Sequence, residues 1–175
     1  LADVTVTDVE DLGALQALWT QDTPQFAGEF YRYEGLKFSP KPRQKPYPPI
    51  LIGGSSAAAH RRTARFGDGW HTLRQSPSQL SEGRDKIRQL TEDAGRDPDK
   101  ISMSISLPIR FTDKPPSAPV PDRTALTGSD DDIIETIRAY QSAGLDEMVI
   151  SADTADLVIQ AETMSHFMEQ IWPKV

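Results

Sequence analysis

The residues of this sequence best suited to chemistry form the run Gly53-Gly54-Ser55-Ser56, which follows the apolar segment Ile50–Ile52. Glycine has no Cβ, so a ligand can approach the backbone of such a turn closely. A helix beginning at Ser55 or Ser56 presents free N–H groups and the positive end of its dipole, which attract an anion such as phosphate. The alternative is a plain strand-to-helix turn in which serine only caps the helix. These residues alone leave both interpretations open.

A second candidate is the run Gly67–Trp70, with His71 directly after it. Gly67 is typical of a helix end and Asp68-Gly69 of a turn into a strand, so the run is predicted to have a structural role. A large indole such as that of Trp70 more often belongs to a core than to a ligand site. Neighbouring strand residues point to opposite faces, so we expect His71 to face away from Trp70 as a hydrogen-bonded structural residue.

The remaining charged residues are weaker candidates. Asp130–Asp132 stand at a predicted helix start, where carboxylates stabilise the helix dipole, so we predict no metal site there. Lys37, Lys41, Arg43 and Lys45 form a basic patch in a proline-rich connector, for which a solvated loop is favoured over attraction of an anion. The sequence has no cysteine, which excludes disulfides and thiolate nucleophiles. We assign no catalytic residue.

Composition sets the class of protein. The chain has 175 residues and a formal net charge of −7, which argues against broad binding to nucleic acid or an anionic membrane. It lacks the run of about 20 apolar residues that a membrane span requires. We therefore expect a cytoplasmic protein in which residues 1–175 form a single domain.

The pattern of the chain predicts the elements that position these residues. A helix is expected over Asp8–Trp19 and a hairpin over Phe30–Phe38. Four strand–helix units follow, which predict a parallel α/β sheet with right-handed crossovers. Their strands are Ile50–Ile52, Gly69–Leu73, Ile101–Phe111 and Glu147–Ser151.

The strand Ile101–Phe111 separates two architectures. Apolar residues alternate along it with Ser102, Ser104, Ser106 and Arg110. A central strand of an open, doubly covered sheet is apolar on both sides, whereas a barrel strand can present a polar face to the barrel interior. An edge strand with one wet face is the remaining alternative. We favour a (β/α)8 barrel of the TIM type; since the complete fold has eight units, these four units make half a barrel.

Six motifs follow one another along the chain: Trp19, Phe30–Gly35, Pro40–Pro42, Pro48–Ser55, Gly67–Trp70 and Ala94–Pro98. The most specific feature is the pairing of Pro-Pro-Ile-Leu-Ile-Gly-Gly-Ser-Ser with Gly-Asp-Gly-Trp about a dozen residues later. Together the motifs resemble the bacterial-luciferase-like monooxygenase family of flavin and deazaflavin oxidoreductases, and most closely its branch that uses coenzyme F420. Order and spacing agree over most of Leu15–Ser151, about the length of that family's second half.

The resemblance implies that these are strands five to eight, the C-terminal half of the barrel. In that family the cofactor lies at the C-terminal mouth of the barrel, and its phosphate-bearing chain reaches the end of strand five. The resemblance therefore implies cofactor binding by Gly53, Gly54, Ser55 and Ser56, with Trp70 nearby. Coenzyme F420 is the favoured cofactor and FMN the alternative. The residues around the reacting ring come largely from the first four strands, which this sequence does not contain.

The resemblance predicts an oxidoreductase that acts on a small organic substrate through its cofactor. The alternative is a truncated, non-catalytic barrel fragment that serves as a structural or ligand-binding module. Half a barrel leaves unpaired backbone groups on its first and last strands. We therefore expect either a homo-oligomer or a complementing N-terminal half as partner.

Overall fold

A computed structural model describes residues 4–175 of the chain, with side chains from residue 10 onward. It begins with helix α1 (Val4–Thr20), followed by the antiparallel pair β1 (Phe26–Ala27) and β2 (Arg32–Tyr33). The prediction of a hairpin over Phe30–Phe38 was wrong in its pairing, because Phe26 rather than a residue of 36–38 lies opposite Tyr33.

A tertiary contact explains the shifted hairpin. The carboxylate of Glu10 on α1 accepts hydrogen bonds from the backbone N–H groups of Glu29, Phe30 and Tyr31, which fixes the turn there. The rings of Phe26 and Tyr33 then stack with centroids 6.0 Å apart. The local pattern of aromatic residues could not reveal a turn held by a carboxylate twenty residues earlier.

The main sheet and its helices follow in chain order. The elements are β3 (Leu51–Gly53), α2 (Ala57–Phe66), β4 (Gly69–Leu73), α3 (Pro77–Asp93), β5 (Ser102–Phe111), β6 (Leu126–Gly128), α4 (Asp130–Ser142), β7 (Glu147–Ala152) and α5 (Leu157–His166). Four parallel strands form the sheet in the order β3-β4-β5-β7, and the short strand β6 also pairs with β5. Ile109 of β5 pairs with both β6 and β7, so these two lie on opposite edges of β5.

The four predicted strand–helix units are confirmed, and serine caps three of the helices. Ser56, Ser76 and Ser129 each accept a hydrogen bond from a backbone N–H in the first helical turn. Strand β6 was not predicted, because its three residues carry too short a pattern to separate them from the cap of α4. After α5 the chain continues as a π-helical turn, Phe167–Ile171.

The alternation along β5 divides the sheet into two faces. Ile105, Leu107 and Ile109 are at most 1% exposed, and they pack in the core beneath the helices. The opposite face carries Ser102, Ser104 and Ser106, and we call it the serine face. It includes every residue that the parallel register aligns with these serines.

The serine face is only partly covered in this chain. Leu51, Leu73 and Val149, which lie on it, are 47%, 67% and 46% exposed. Strands β3 and β7 form the outer edges of the four-stranded sheet. This arrangement corresponds to half of a parallel barrel, with the serine face as the interior side. No helix among the described residues is long and apolar enough to cross a membrane.

Candidate anion-binding site

The turn between β3 and α2 contains Gly53, Gly54, Ser55 and Ser56, the four residues predicted to bind the cofactor phosphate. We call this predicted phosphate-binding turn the grip. Gly53 ends the strand, Ser56 caps the helix, and Gly53 through Ser56 are exposed. Gly54 has a φ of +101°, a conformation that residues with a side chain rarely adopt. This glycine turns the chain so that the first amides of α2 lie at the carboxyl end of the sheet.

The free donors of this turn are the amides of Ser55, Ser56, Ala57 and Ala58. None of them has a hydrogen-bond acceptor within residues 4–175, as expected for the first turn of a helix. Ala59 N–H is already used, since it donates to Ser56 Oγ at 3.2 Å. The Gly54 amide is used as well, by the chain's own backbone. The free amides therefore begin at Ser55, directly after the two glycines.

Two consecutive residues of β4 hold both polar groups of Gly54. Its N–H donates to the carbonyl oxygen of His71 at 3.2 Å, and its carbonyl oxygen accepts from Trp70 Nε1 at 2.6 Å. The peptide groups on either side of the turn are thereby fixed to the neighbouring strand. Hydrogen bonds at Gly54 therefore connect the Gly-Gly-Ser-Ser motif to the end of the Gly-Asp-Gly-Trp motif and to the residue after it.

Trp70 itself lies on the helix side of the sheet. Its side chain is 0% exposed, and its ring fits against Gly83 of α3, where an added Cβ would lie 2.4 Å from ring atom Cη2. The edge-to-face contact with His60 has a centroid separation of 5.1 Å. Trp70 thus reaches the candidate site through the carbonyl group of Gly54.

His60 supports Trp70 from α2. It is 7% exposed, and its Nε2 has no hydrogen-bond partner among the described residues. Burial, with a smaller contribution from the positive charge of Lys86, holds the pKa of His60 below its ordinary value of 6.5. A neutral imidazole in this place is compatible with the apolar face of Trp70.

Space in front of the turn is open on the serine face. A Cβ built on Gly53 meets no atom within 4 Å, whereas one built on Gly54 would lie 3.6 Å from Ala59. Gly53 is aligned with His71, Ser104 and Glu147 in one row across the sheet. A ligand held by the turn would have this row beside it.

His71 faces away from Trp70 and is hydrogen-bonded, as the sequence predicted. Its Nδ1 lies 2.9 Å from Ser104 Oγ and its Nε2 lies 3.0 Å from Ser106 Oγ. The sequence showed the three serines as a polar stripe, but it gave no sign that a histidine from the neighbouring strand bridges two of them. Sequence separations of 33 and 35 residues hide such contacts.

Two of the weaker candidates are engaged elsewhere. Lys41 Nζ donates to the carbonyl oxygens of Leu18 and Gln21, so it closes the end of α1. Asp132 forms a capping box with Ser129, whose hydrogen bonds hold the pKa of that carboxyl below its usual value. Both side chains stabilise helix ends, away from the turn at Gly54.

Comparison with known proteins identifies the family. The model of the luciferase-like monooxygenase family matches residues 9–119, which include the turn and both motifs around it. The chain belongs to this family. One relative, the FMNH(2)-dependent dimethylsulfone monooxygenase of Pseudomonas putida, is 40% identical over 79 residues, which cover 45% of this chain and 22% of that protein.

Solved structures share the fold of almost the whole chain. An F420-dependent secondary alcohol dehydrogenase, in complex with an F420–acetone adduct, superposes with a TM-score of 0.78 at 16% identity, over 98% of this chain and 62% of that one. The coenzyme F420 dependent tetrahydromethanopterin reductase of Methanopyrus kandleri gives 0.77 at 11% identity, over 97% and 63%. The chain thus spans less than two thirds of these barrels.

Proposed function

We propose that this chain is the cofactor-phosphate-binding half of a flavin- or deazaflavin-dependent oxidoreductase that acts on a small organic substrate. The observation that carries the proposal is the set of four free amides, Ser55 to Ala58, at an exposed turn whose backbone β4 holds in place. Preorganised backbone donors at a helix N-terminus favour a phosphate. FMN and F420 both carry this group.

The proposed roles differ among the five residues. Gly53 and Gly54 leave room for the phosphate, and Ser55 and Ser56 supply N–H groups and hydroxyls. Trp70 positions the turn through its hydrogen bond to Gly54. When bound, the cofactor supplies the redox chemistry, either hydride transfer or oxygen activation. The residues of this chain bind and orient it.

The names of the relatives support a flavin or deazaflavin cofactor, but they differ in which of the two is used. The relative from Pseudomonas putida is FMNH(2)-dependent, whereas both superposed structures are of F420-dependent enzymes. The motifs favour F420, and this preference stays a prediction. Titration of the protein with F420 and with FMN, followed by cofactor fluorescence, decides between them.

The decisive variant for the grip is Gly53→Val. A Cβ at this position meets no protein atom within 4 Å, so under the proposed function a valine would take space that the phosphate needs, and affinity for FMN and F420 should fall more than tenfold. Gly54 is unsuited to this test, because its φ of +101° makes any side chain a backbone perturbation.

Leu51→Val is the matched control for Gly53→Val. Leu51 lies on the same strand and the same face, two residues before Gly53 and further from the amides. The control should keep the affinity of the unmodified protein. Equal affinity of Gly53→Val and Leu51→Val for both cofactors would contradict the proposed grip.

A further inference from the structure

The His71 imidazole joins two serines of β5 that otherwise have no part in the proposed grip. Its Nδ1 contacts Ser104 and its Nε2 contacts Ser106, one row closer to the carboxyl end of the sheet. The Ser104 hydroxyl also donates to the Trp70 carbonyl oxygen at 3.3 Å. These contacts form one continuous chain of hydrogen bonds.

The Ser104 hydroxyl faces both a backbone carbonyl and the imidazole, and we assign its proton to the carbonyl, because a carbonyl oxygen can only accept. A hydroxyl has one proton, and Ser104 uses it on the carbonyl of Trp70, so Ser104 accepts from His71 Nδ1–H. In a neutral imidazole the other nitrogen is then an acceptor. Ser106 therefore donates its proton to Nε2, and its oxygen retains lone pairs for another donor.

Ser106 lies between two exposed apolar side chains on the open serine face. In its row across the sheet, Leu73 lies on one side and Val149 on the other, and they are 67% and 46% exposed. A single oriented polar group between apolar walls is typical of a small-molecule pocket. The neighbouring row adjoins the turn, since it contains His71, whose carbonyl oxygen accepts the Gly54 N–H.

We propose that the Ser106 oxygen, oriented by His71, accepts a hydrogen bond from an N–H or O–H group on the planar or apolar part of a ligand whose phosphate lies at the turn. Leu73 and Val149 flank that part of the ligand. Ser106 is the contact, and His71 is a positioning residue. The inference rests on the proposed function for the location of the phosphate.

Two probes separate this inference from the proposed function. FMN engages both the turn and Ser106, whereas inorganic phosphate engages the turn alone. Ser106→Ala should weaken FMN binding about fivefold, the effect of one neutral hydrogen bond, and leave phosphate binding unchanged. Ser102→Ala is the matched control: it lies on the same face of β5, donates to the Asp68 carbonyl, and should change neither affinity.

The outcomes are distinct. Equal FMN affinity of Ser106→Ala and Ser102→Ala, with phosphate still bound, would overturn this inference and leave the grip intact. Loss of phosphate binding in Ser106→Ala would also overturn it, because the effect would then be structural. If neither probe binds the unmodified protein, the proposed function and this inference both fail.

A measurement on the unmodified protein tests the positioning step without any variant. The ¹⁵N chemical shifts of His71 at pH 8 should show a single Nδ1–H tautomer with unprotonated Nε2. A predominant Nε2–H tautomer would reverse the Ser106 hydrogen bond and overturn the proposed acceptor role.

Discussion

At the scale of single residues, the candidate site depends on main-chain groups. The four free amides belong to residues with small side chains, and Trp70 acts on them through one hydrogen bond to Gly54. An amide carries no charge that changes with pH. Anion binding at the turn should therefore change with the ionisation of the phosphate and with the support behind Trp70, where His60 is the titratable group in ring contact.

His60 gives the fold a dependence on pH. Because burial lowers the pKa of this imidazole below 6.5, the folded state favours its neutral form. The resulting stability is complete above the pKa of the unfolded chain and is lost as pH falls through the lower pKa of the folded chain. The free energy of unfolding should decrease as the pH falls below 6.5.

Denaturant unfolding at a series of pH values measures this effect. His60→Phe should remove the part of the decrease that belongs to this site, because a phenyl ring keeps the contact with Trp70 without titrating. His71→Phe, on the opposite face, is a comparison for histidine loss in general. A His60→Phe profile that matches the unmodified protein would contradict the assignment.

At the scale of secondary-structure elements, side chains from distant segments fix the ends of helices and turns. Glu10 sets the hairpin turn, Lys41 closes α1, and Arg96 closes α2. The Arg96 guanidinium donates to the carbonyl oxygens of Thr63, Ala64 and Gly67 at 2.7–3.2 Å. This arginine is part of the Ala94–Pro98 motif, for which the sequence suggested no role.

Replacing Arg96 should destabilise the fold by loosening α2. Arg96→Met loses three hydrogen bonds from a half-buried charged donor, so the free energy of unfolding should fall by about 2–3 kcal/mol. Arg96→Lys should recover only part of it, because an ammonium group lacks the planar fork. Denaturant unfolding measures both.

Arg88→Met is the control for Arg96. Arg88 pairs with Asp99 at 2.7 Å, but the Asp99 side chain is 77% exposed, and such surface pairs contribute less than about 1 kcal/mol. If Arg88→Met and Arg96→Met lower the free energy of unfolding by similar amounts, the hydrogen bonds from Arg96 to the carbonyl oxygens at the end of α2 do not stabilise the fold more than a surface ion pair does.

At the scale of the whole molecule, the open sheet is the dominant feature. Within the part of the chain that the structure describes, strands β3 and β7 each leave one edge without a strand partner, and Leu51, Leu73 and Val149 are exposed on the serine face. Exposed sheet edges next to apolar surface favour association. The two superposed structures extend beyond the part that this chain matches.

We therefore predict that the 175-residue chain self-associates in solution. Light scattering coupled to size exclusion should give a mass of at least twice 19.4 kDa. Val149→Lys places a charge on the exposed face of edge strand β7 and should shift the chain toward the monomer. Lys86→Gln, on the outer surface of α3, should not. A stable monomer at micromolar concentration would contradict the prediction.

The sequence by itself determined the parallel α/β architecture, the strand–helix units and the family. These features rest on local signals: apolar alternation along β5, serine at three helix starts, and the glycine motifs beside β3 and β4. Each signal lies within one element, so it can be identified without knowing which elements are neighbours.

Only the tertiary structure decided which groups meet. In the structure the hairpin lies at Phe26–Tyr33, the Trp70 indole donates to the Gly54 carbonyl oxygen, and the His71 ring contacts two serine hydroxyls. The contacts of Trp70 and His71 span 16 to 35 residues and join neighbouring segments of the sheet. Sheet register decides such contacts, and register is a property of the packed core, because every side chain changes face when a strand slips by one residue.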